Sequence, residues 1–374
     1  MKKLKIMTVL GTRPEIIRLS EVIKLLNTET EHLLVHTGQN YDYELNQIFF
    51  EDLGLRKPDY FLSSAGKTSC ATVGDIITKV DDIIKKELPD AVLVLGDTNS
   101  GMSAYAAKRN KVPIFHMEAG NRCFDMRVPE EINRRIIDHV SDINLVYSDL
   151  SRTNLLNEGI SLDRIFKTGS PLYEVIVKNK EKIESSSIMS DLKLTQNDYF
   201  VLSLHREENI SLDVNFDKII AIIDKIIQEY DKEIIFSVHP RTRKKIDEKK
   251  VKFNSKVKLM NPLGLFDYLK LQKSALCVIS DSGTISEEAS ILKFPAINMR
   301  ETHERFEAMD ESSVIMIGLN QERVIQAIDH IMNTKSYVQN LHIPEDYSVD
   351  NVSVKTVRII MSYIDYVNRV VWSK

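Results

Sequence analysis

Two carboxylates stand where a parallel sheet would present them to a ligand. The apolar run Ala91 to Leu95 stops at Gly96-Asp97-Thr98, and the run Val112 to Met117 stops at Glu118-Ala119-Gly120. A strand buried on both faces reads as a continuous apolar run, and open parallel sheets bind ligands outside the carboxyl ends of their strands. Asp97 and Glu118 thus hold equivalent edge positions. If the two strands are neighbours, the acids converge, and repulsion with partial burial drives their proton affinities apart, as a paired acid and base require. A third acid, Glu130, falls in the first turn of a helix opened by Pro129 in Val128-Pro129-Glu130-Glu131-Ile132-Asn133-Arg134-Arg135. Each acid also has a plain structural reading. Asp97 or Thr98 could cap a helix over Ser100 to Arg109. Glu130 with Arg134, and Glu131 with Arg135, have the i, i+4 spacing of ion pairs on an exposed helix.

Other segments suit an anion. Gly11-Thr12-Arg13-Pro14-Glu15 lies between the first strand and a helix. Glycine permits the turn, Thr12 can cap, Pro14 fits the first helical turn, and exposed N–H groups with Arg13 make an anion seat. Ser280-Asp281-Ser282-Gly283-Thr284 repeats the design, and the helix after it carries Glu287 and Glu288, one of which could take two sugar hydroxyls. Together these features suit a nucleoside diphosphate. His205-Arg206-Glu207-Glu208 and His239-Pro240-Arg241 each follow a strand, so His205, and less directly His239, are placed to meet a phosphate. Arg241 to Lys245 reads most simply as a solvated basic face. The segment ending Gly66-Lys67-Thr68 lacks the first glycine of a P-loop, and no G-x-G-x-x-G or H-E-x-x-H occurs. No nicotinamide, metal or other cofactor is expected.

The elements that position these residues follow from periodicity. Strands are expected at Leu4 to Leu10, Leu33 to His36, Ala91 to Leu95, Pro113 to Met117 and Ile143 to Tyr147. After a lysine- and serine-rich stretch from Tyr173 to Asn197 that reads as a linker, a second series runs Phe200 to Leu204, Glu233 to Val238, Val257 to Leu259, Leu276 to Ser280, Ala296 to Met299 and Ser313 to Ile317. Helical patterns lie between, including Asn215 to Tyr230, and an amphipathic stretch, Val352 to Val371, closes the chain. The expectation is an α/β protein of two Rossmann-like, doubly wound domains, 1–172 and 173–354, with a final helix over about 355–374 packing back on the first domain. With 374 residues, 43% hydrophobic, 28% charged and a net charge of -4, the chain suits a two-domain globular protein and not a nucleic-acid binder. Three scattered cysteines, Cys70, Cys123 and Cys277, no secretory leader and no membrane span point to the cytoplasm. Cys123 reads as packing rather than a nucleophile.

In order, the Gly11 to Glu15, Gly96 to Thr98, His116 to Gly120, Pro129 to Arg134, His205 to Glu207, Asp281 to Gly283 and Glu287-Glu288-Ala289 motifs resemble those of the non-hydrolysing UDP-N-acetylglucosamine 2-epimerase family across nearly the whole chain. The resemblance implies a glycosyltransferase-B fold with domains facing across a cleft, a UDP-N-acetylhexosamine substrate and a homodimer. It implies Asp97, Glu118 and Glu130 as catalytic acids with His205 near the diphosphate, and Arg13, Ser282, Gly283, Glu288 and Arg305 as nucleotide contacts, with Tyr268 where the family carries an aromatic near uracil. There are departures: Arg18 stands for a lysine, Thr284 for a second glycine and Asn121 for a leucine. Arg18 and Thr284 are retained among the substrate-binding candidates. These departures, with Asn40 to Asn46 and Asn121 to Asp125, resemble the branch that converts UDP-2-acetamido-2,6-dideoxy-L-talose to UDP-N-acetyl-L-fucosamine for capsule or O-antigen synthesis. The alternatives are a UDP-N-acetylglucosamine/UDP-N-acetylmannosamine 2-epimerase and, more remotely, a glycosyltransferase of the same fold. The implied chemistry is elimination of UDP to a 2-acetamidoglycal and its re-addition with a proton delivered to the opposite face of carbon 2. Which acid serves as base and which as acid is left open.

Overall fold

Seven short, β-branched and apolar segments build the first sheet: β1 (Lys5–Leu10), β2 (Glu31–His36), β3 (Tyr60–Phe61), β4 (Ala91–Leu95), β5 (Ile114–Ala119), β6 (Ile143–Val146) and β7 (Ile165–Lys167). All pairs are parallel, in the order β3-β2-β1-β4-β5-β6-β7. Six more form the second: β8 (Tyr199–Ser203), β9 (Glu233–Ser237), β10 (Val257–Met260), β11 (Cys277–Ser280), β12 (Ala296–Asn298) and β13 (Ile315–Met316). It too is wholly parallel, in the order β10-β9-β8-β11-β12-β13. In each sheet the winding reverses once, beside the first strand: between β1 and β4, and between β8 and β11. Loops leaving two such strands diverge to opposite faces and open a crevice at the carboxyl edge.

The computed structural model describes residues 3–38, 43–334 and 340–374. Of the stretch Asn40 to Asn46, residues 40–42 and the side chains of the rest lie outside the described residues, as do the side chains of Glu207 and Glu208.

Both faces of each sheet are covered, so each strand is apolar on both sides. In the first unit Met7, Val9, Val92, Val94 and Ile114 pack with Ile76 and Val80 of the helix Ser69–Glu87. In the second, Phe200, Leu202, Ile234 and Phe236 meet Ile219, Ile223 and Ile226 of the helix Asp213–Tyr230. The intervening residues Val201, Ile235 and Val278 meet Leu271, Ile285 and Ala289 on the other face. Each such side chain contributes roughly 1.5–3 kcal/mol by leaving water.

The chain divides by its contacts into Met1–Lys178 with Glu345–Lys374, and Asn179–Pro344. The crossings fall at 178/179 and 344/345, against the 172/173 and 354/355 expected from composition. The C-terminal helix Val352–Trp372 buries Val352, Thr356, Val357, Ile360, Ile364 and Val367, lies against the helix Arg13–Glu29, and is tied at its start by the Ser353 N–H to Glu174 Oε2 (2.8 Å). The expected linker from Tyr173 to Asn197 carries three short helices instead: Leu172–Lys178, Lys180–Glu184 and Ile188–Asp191. Val175, Ile176, Ile183 and Ile188 are buried, and that burial outweighs the polar composition that suggested a linker. No described helix is long and apolar enough to cross a membrane.

Candidate active site

In the first unit the acids gather at the switch point. Strands β4 and β5 pair with Leu95 opposite Met117, and the Gly96 N–H donates to the Met117 carbonyl (2.9 Å). Asp97 and Glu118 therefore leave adjacent strand ends. The turn before Asp97 is so close to its neighbour that a Cβ on Gly96 would lie 3.9 Å from Glu118 Cδ.

Glu118 breaks the strand it ends. Its φ is +64°, and the pairing of β5 with β6 slips register between Met117 and Ala119. A non-glycine residue there costs on the order of 1–3 kcal/mol and persists only where its surroundings hold it. Here they do. Glu118 Oε2 accepts from the Arg18 guanidinium and from Tyr147 Oη (3.1 Å), and Oε1 from Asn121 Nδ2 (3.4 Å). Arg18, expected among the substrate binders, is 3% exposed with its guanidinium on this carboxylate. Next, Gly120 has φ +79°, and a Cβ there would stand 2.3 Å from the Ser151 carbonyl oxygen, which only glycine avoids.

Asp97 pairs with Arg134 (2.5 Å), and its carbonyl accepts from Asn133 Nδ2 (2.9 Å). The cap at this turn is Thr98, whose hydroxyl accepts from the Ser100 N–H (3.3 Å), so the acid is not spent on capping. Asn133 and Arg134 belong to the helix Pro129–Val140, whose first turn carries half-buried Glu130. Proline opens that helix as expected. The Glu131–Arg135 pair forms at 2.9 Å, but Glu131 is wholly buried and also takes the Cys123 N–H (3.0 Å). Burial, the largest influence, pushes the Cys123 thiol up, in keeping with a packing role.

Glu15, which the motif contained but to which no role was given, joins the two turns flanking the switch point. It accepts from the Gly11 N–H (3.2 Å), Thr12 Oγ (2.7 Å) and, across to the turn after β4, Ser100 Oγ (2.5 Å). Burial pushes its carboxyl up to about 7 against these three hydrogen bonds. Thr12 stands at the cap position but, against expectation, makes no side-chain cap bond, because its hydroxyl goes to Glu15. The threonine followed three residues later by glutamate nonetheless has the spacing of a capping box, a signal the sequence carried. Arg13, beside it, has its guanidinium carbon 5.8 Å from the Phe49 ring.

The second unit gathers its candidate anion-binding residues at its own switch point. Wholly buried Asp281 follows β11 and accepts from the His205 N–H (3.0 Å), the Arg206 N–H (3.0 Å) and Asn209 Nδ2 (3.0 Å), with His205 Nδ1 at 3.3 Å. It locks the loop after β8 to the loop after β11. Ser282 Oγ and Thr284 Oγ1 are 3.0 Å apart at the start of the helix Ile285–Leu292. Gly283 approaches closely: a Cβ there would be 2.5 Å from Glu304 Oε1. Glu288 accepts from Thr284 Oγ1 (2.7 Å) and Gln272 Nε2 (2.7 Å), and Tyr268 stands one turn before Gln272 on the helix Leu265–Ser274. Arg305 is buried with its Nε 3.6 Å from Glu287 Oε1. His239 caps the next helix, accepting from the Arg241 N–H (3.3 Å), with its ring 5.9 Å from that of His205.

The structure thus brings Asp97, Glu118, Arg18 and Arg13 to neighbouring strand ends of one unit, with Glu130 on the helix that braces Asp97. It brings His205, Ser282, Gly283, Thr284 and Glu288 to the edge of the other. Organising residues to which sequence reasoning gave no site role are Glu15, Tyr147, Gln272 and Asp281; Arg134, read there only as the i, i+4 partner of Glu130, is found reaching Asp97.

Two wholly parallel α/β units, each with its polar residues at the switch point of its own sheet, make this a protein of the glycosyltransferase-B class. A kitacinnamycin glycosyltransferase at 9% identity shares that fold alone (TM-score 0.61, covering 97% of this chain and 100% of that one). The family model described as UDP-N-acetylglucosamine 2-epimerase matches residues 24–361, and the chain belongs to that family of isomerases. A UDP-N-acetylglucosamine 2-epimerase structure from Rickettsia bellii is 48% identical, with TM-score 0.92 and full coverage of both chains. That of Methanocaldococcus jannaschii, in complex with UDP-GlcNAc and UDP, is 37% identical, with TM-score 0.90, covering 96% of this chain and all of that one. The UDP-2,3-diacetamido-2,3-dideoxy-D-glucuronate 2-epimerase of Pseudomonas aeruginosa is 34% identical over 330 residues, 87% of this chain and 91% of that one.

Proposed function

We propose that this chain inverts carbon 2 of a UDP-N-acetylamino sugar without hydrolysing it, and that its substrate is UDP-2-acetamido-2,6-dideoxy-L-talose, giving UDP-N-acetyl-L-fucosamine for capsule or O-antigen synthesis. The observation that carries the inversion is the pairing of β4 with β5, which sets Asp97 and Glu118 on adjacent strand ends, each against its own arginine. Carbon 2 has no neighbouring carbonyl, so its proton is hard to remove directly. Loss of UDP from carbon 1 gives cation-like character that acidifies it, and a 2-acetamidoglycal results. Re-addition of UDP with a proton entering the other face completes the inversion. Asp97, Glu118 and Glu130 supply base, acid and orientation. Arg13, His205 and the turn of Ser282, Gly283 and Thr284 stabilise the leaving diphosphate, with Glu288 and Tyr268 on ribose and uracil and Arg305 behind them.

The choice of the 6-deoxy-L-sugar draws support from where two of the three departures fall: Arg18 and Asn121 both donate to Glu118, while Thr284 lies in the other unit. The second reading, UDP-N-acetylglucosamine, is favoured by the ligand of the Methanocaldococcus structure. We place the enzyme in the cytoplasm, since Cys70, Cys123 and Cys277 are all free, and take it to act as a homodimer.

Incubation of each UDP-sugar with the protein in deuterium oxide, followed by proton NMR, tests the reading. One deuterium at carbon 2 and a mixture of epimers are expected, fastest with the L-talose compound. Faster exchange with UDP-N-acetylglucosamine selects the second reading. Free sugar would indicate a hydrolysing enzyme, turnover only with an added acceptor a transferase, and no exchange with any UDP-hexosamine would remove the epimerase.

A further inference from the structure

Tyr147 belongs to none of the recognised motifs, yet it reaches the acid whose backbone sits in the left-handed region at a strand end. It follows β6 directly, and β6 pairs with β5 so that Val146 lies opposite Ala119, the residue after Glu118. The tyrosine is wholly buried, and its hydroxyl donates to Glu118 Oε2 (3.1 Å). Arg18, 3% exposed, donates to the same oxygen, with its guanidinium carbon 5.8 Å from the centre of the Tyr147 ring. The two donors approach from different elements, one from the helix Arg13–Glu29 and one from the end of β6.

These donors do different things. A carboxylate is a broad rotor about its terminal bond, and one cationic partner on a long, jointed side chain leaves it free to swivel. A phenol on a fully packed ring keeps its proton in the plane of that ring, and here the carboxylate oxygen selects the side to which it points. Added to the arginine, and to the longer contact from Asn121 Nδ2 on the other oxygen (3.4 Å), it helps fix the plane of the carboxylate as well as its place. The backbone of Glu118 is in the left-handed region, where the chain by itself would not hold this side chain. Placement of a proton-transferring group to within a fraction of an ångström is where much of the rate arises.

We propose that Tyr147 is a positioning residue for proton transfer at carbon 2: with Arg18 it pins one oxygen of Glu118 and so aims the carboxylate at the sugar. The inference rests on the reading that Glu118 takes part in that transfer. Tyr147 is enclosed by protein, so its effect is expected on turnover and not on binding.

The experiment compares Tyr147→Phe, Arg18→Lys and the double variant, each scored for kcat, KM, UDP affinity by calorimetry and deuterium entry at carbon 2. Phenylalanine keeps the ring against Arg18 and removes only the hydroxyl. Losing a hydrogen bond to a charged group lowers kcat by about tenfold or more, and deuterium entry falls with it, while KM and UDP affinity stay within about twofold. Because both donors serve one oxygen, the double variant loses less than the product of the single losses. An unchanged kcat, a rise in KM at constant kcat, or strictly multiplicative losses would each overturn the inference. If the wild-type protein exchanges no deuterium into any UDP-sugar, the functional reading fails first and takes this inference with it. Should Tyr147→Phe not fold, 4-aminophenylalanine placed at 147 keeps the ring and offers Glu118 a weaker, neutral donor in place of the hydroxyl. Its kcat then falls at constant KM, and a kcat equal to wild type refutes the role.

Discussion

Replacement of Glu15 by glutamine changes how stability depends on pH. Glu15 is 1% exposed, and burial raises its carboxyl from 4.5 to about 7. A raised folded pKa means that the folded state holds the proton more tightly than the unfolded chain. The associated stability is fully present below pH 4.5, declines above it and is gone once the pH passes 7. A rise of about 2.5 pH units at roughly 1.4 kcal/mol per unit is worth about 3 kcal/mol in full, of which about 2.5 kcal/mol disappears between roughly pH 5 and pH 8. Glutamine imitates the protonated acid: its carbonyl can accept from the Gly11 N–H and Thr12 hydroxyl, and its amide can donate to Ser100 Oγ. The assay is urea unfolding followed through Trp372, the one tryptophan of the chain, which lies on the C-terminal helix of the same unit. The wild-type protein should lose about 2–3 kcal/mol relative to Glu15→Gln between those pH values. A gap of equal size at both would mean that Glu15 is ionised throughout and that the account of its burial is mistaken.

Two more outcomes follow from the site. Glu118→Gln should lower turnover by at least about a hundredfold while calorimetry finds UDP binding intact; equal loss of folding would assign Glu118 a structural role only. Gly120→Ala places a methyl 2.3 Å from the Ser151 carbonyl at φ +79°, so thermal unfolding should register a loss of about 3 kcal/mol or more, or no folded protein.

The sheets were legible because parallel strands are apolar on both faces: the runs at Ala91 to Leu95 and Ala296 to Met299 were read within a residue or so. The strands missed, Tyr60–Phe61 and Ile165–Lys167, are two or three residues long at sheet edges, with no run to read. The helices of 172–191 were missed because turns of four to seven residues show no helical period, and their few buried aliphatics are diluted by lysine and serine. At the site, Asp97 and Glu118 were visible as the points where apolar runs end. What holds them was not. Arg134 reaching Asp97 and Tyr147 reaching Glu118 span 37 and 29 residues, and such contacts are set by strand order, which no local pattern encodes. The left-handed turn at Glu118 was equally hidden, because glutamate has no preference for it and only the surrounding donors hold it there.

The first unit is assembled from two stretches of chain with the other unit spliced between them. During synthesis the helix Arg13–Glu29 emerges early, but the helix Val352–Trp372 that lies against it comes only after roughly 320 further residues, on the order of fifteen to sixty seconds at ribosomal rates. Through that interval the later-made unit, being continuous, can reach its native state first, while the earlier-made one waits with an uncovered apolar surface. The nascent enzyme is therefore most exposed to chaperones and proteases at its amino-terminal half, and a ribosome that stalls short of residue 352 releases a chain whose oldest portion is the one left unfinished.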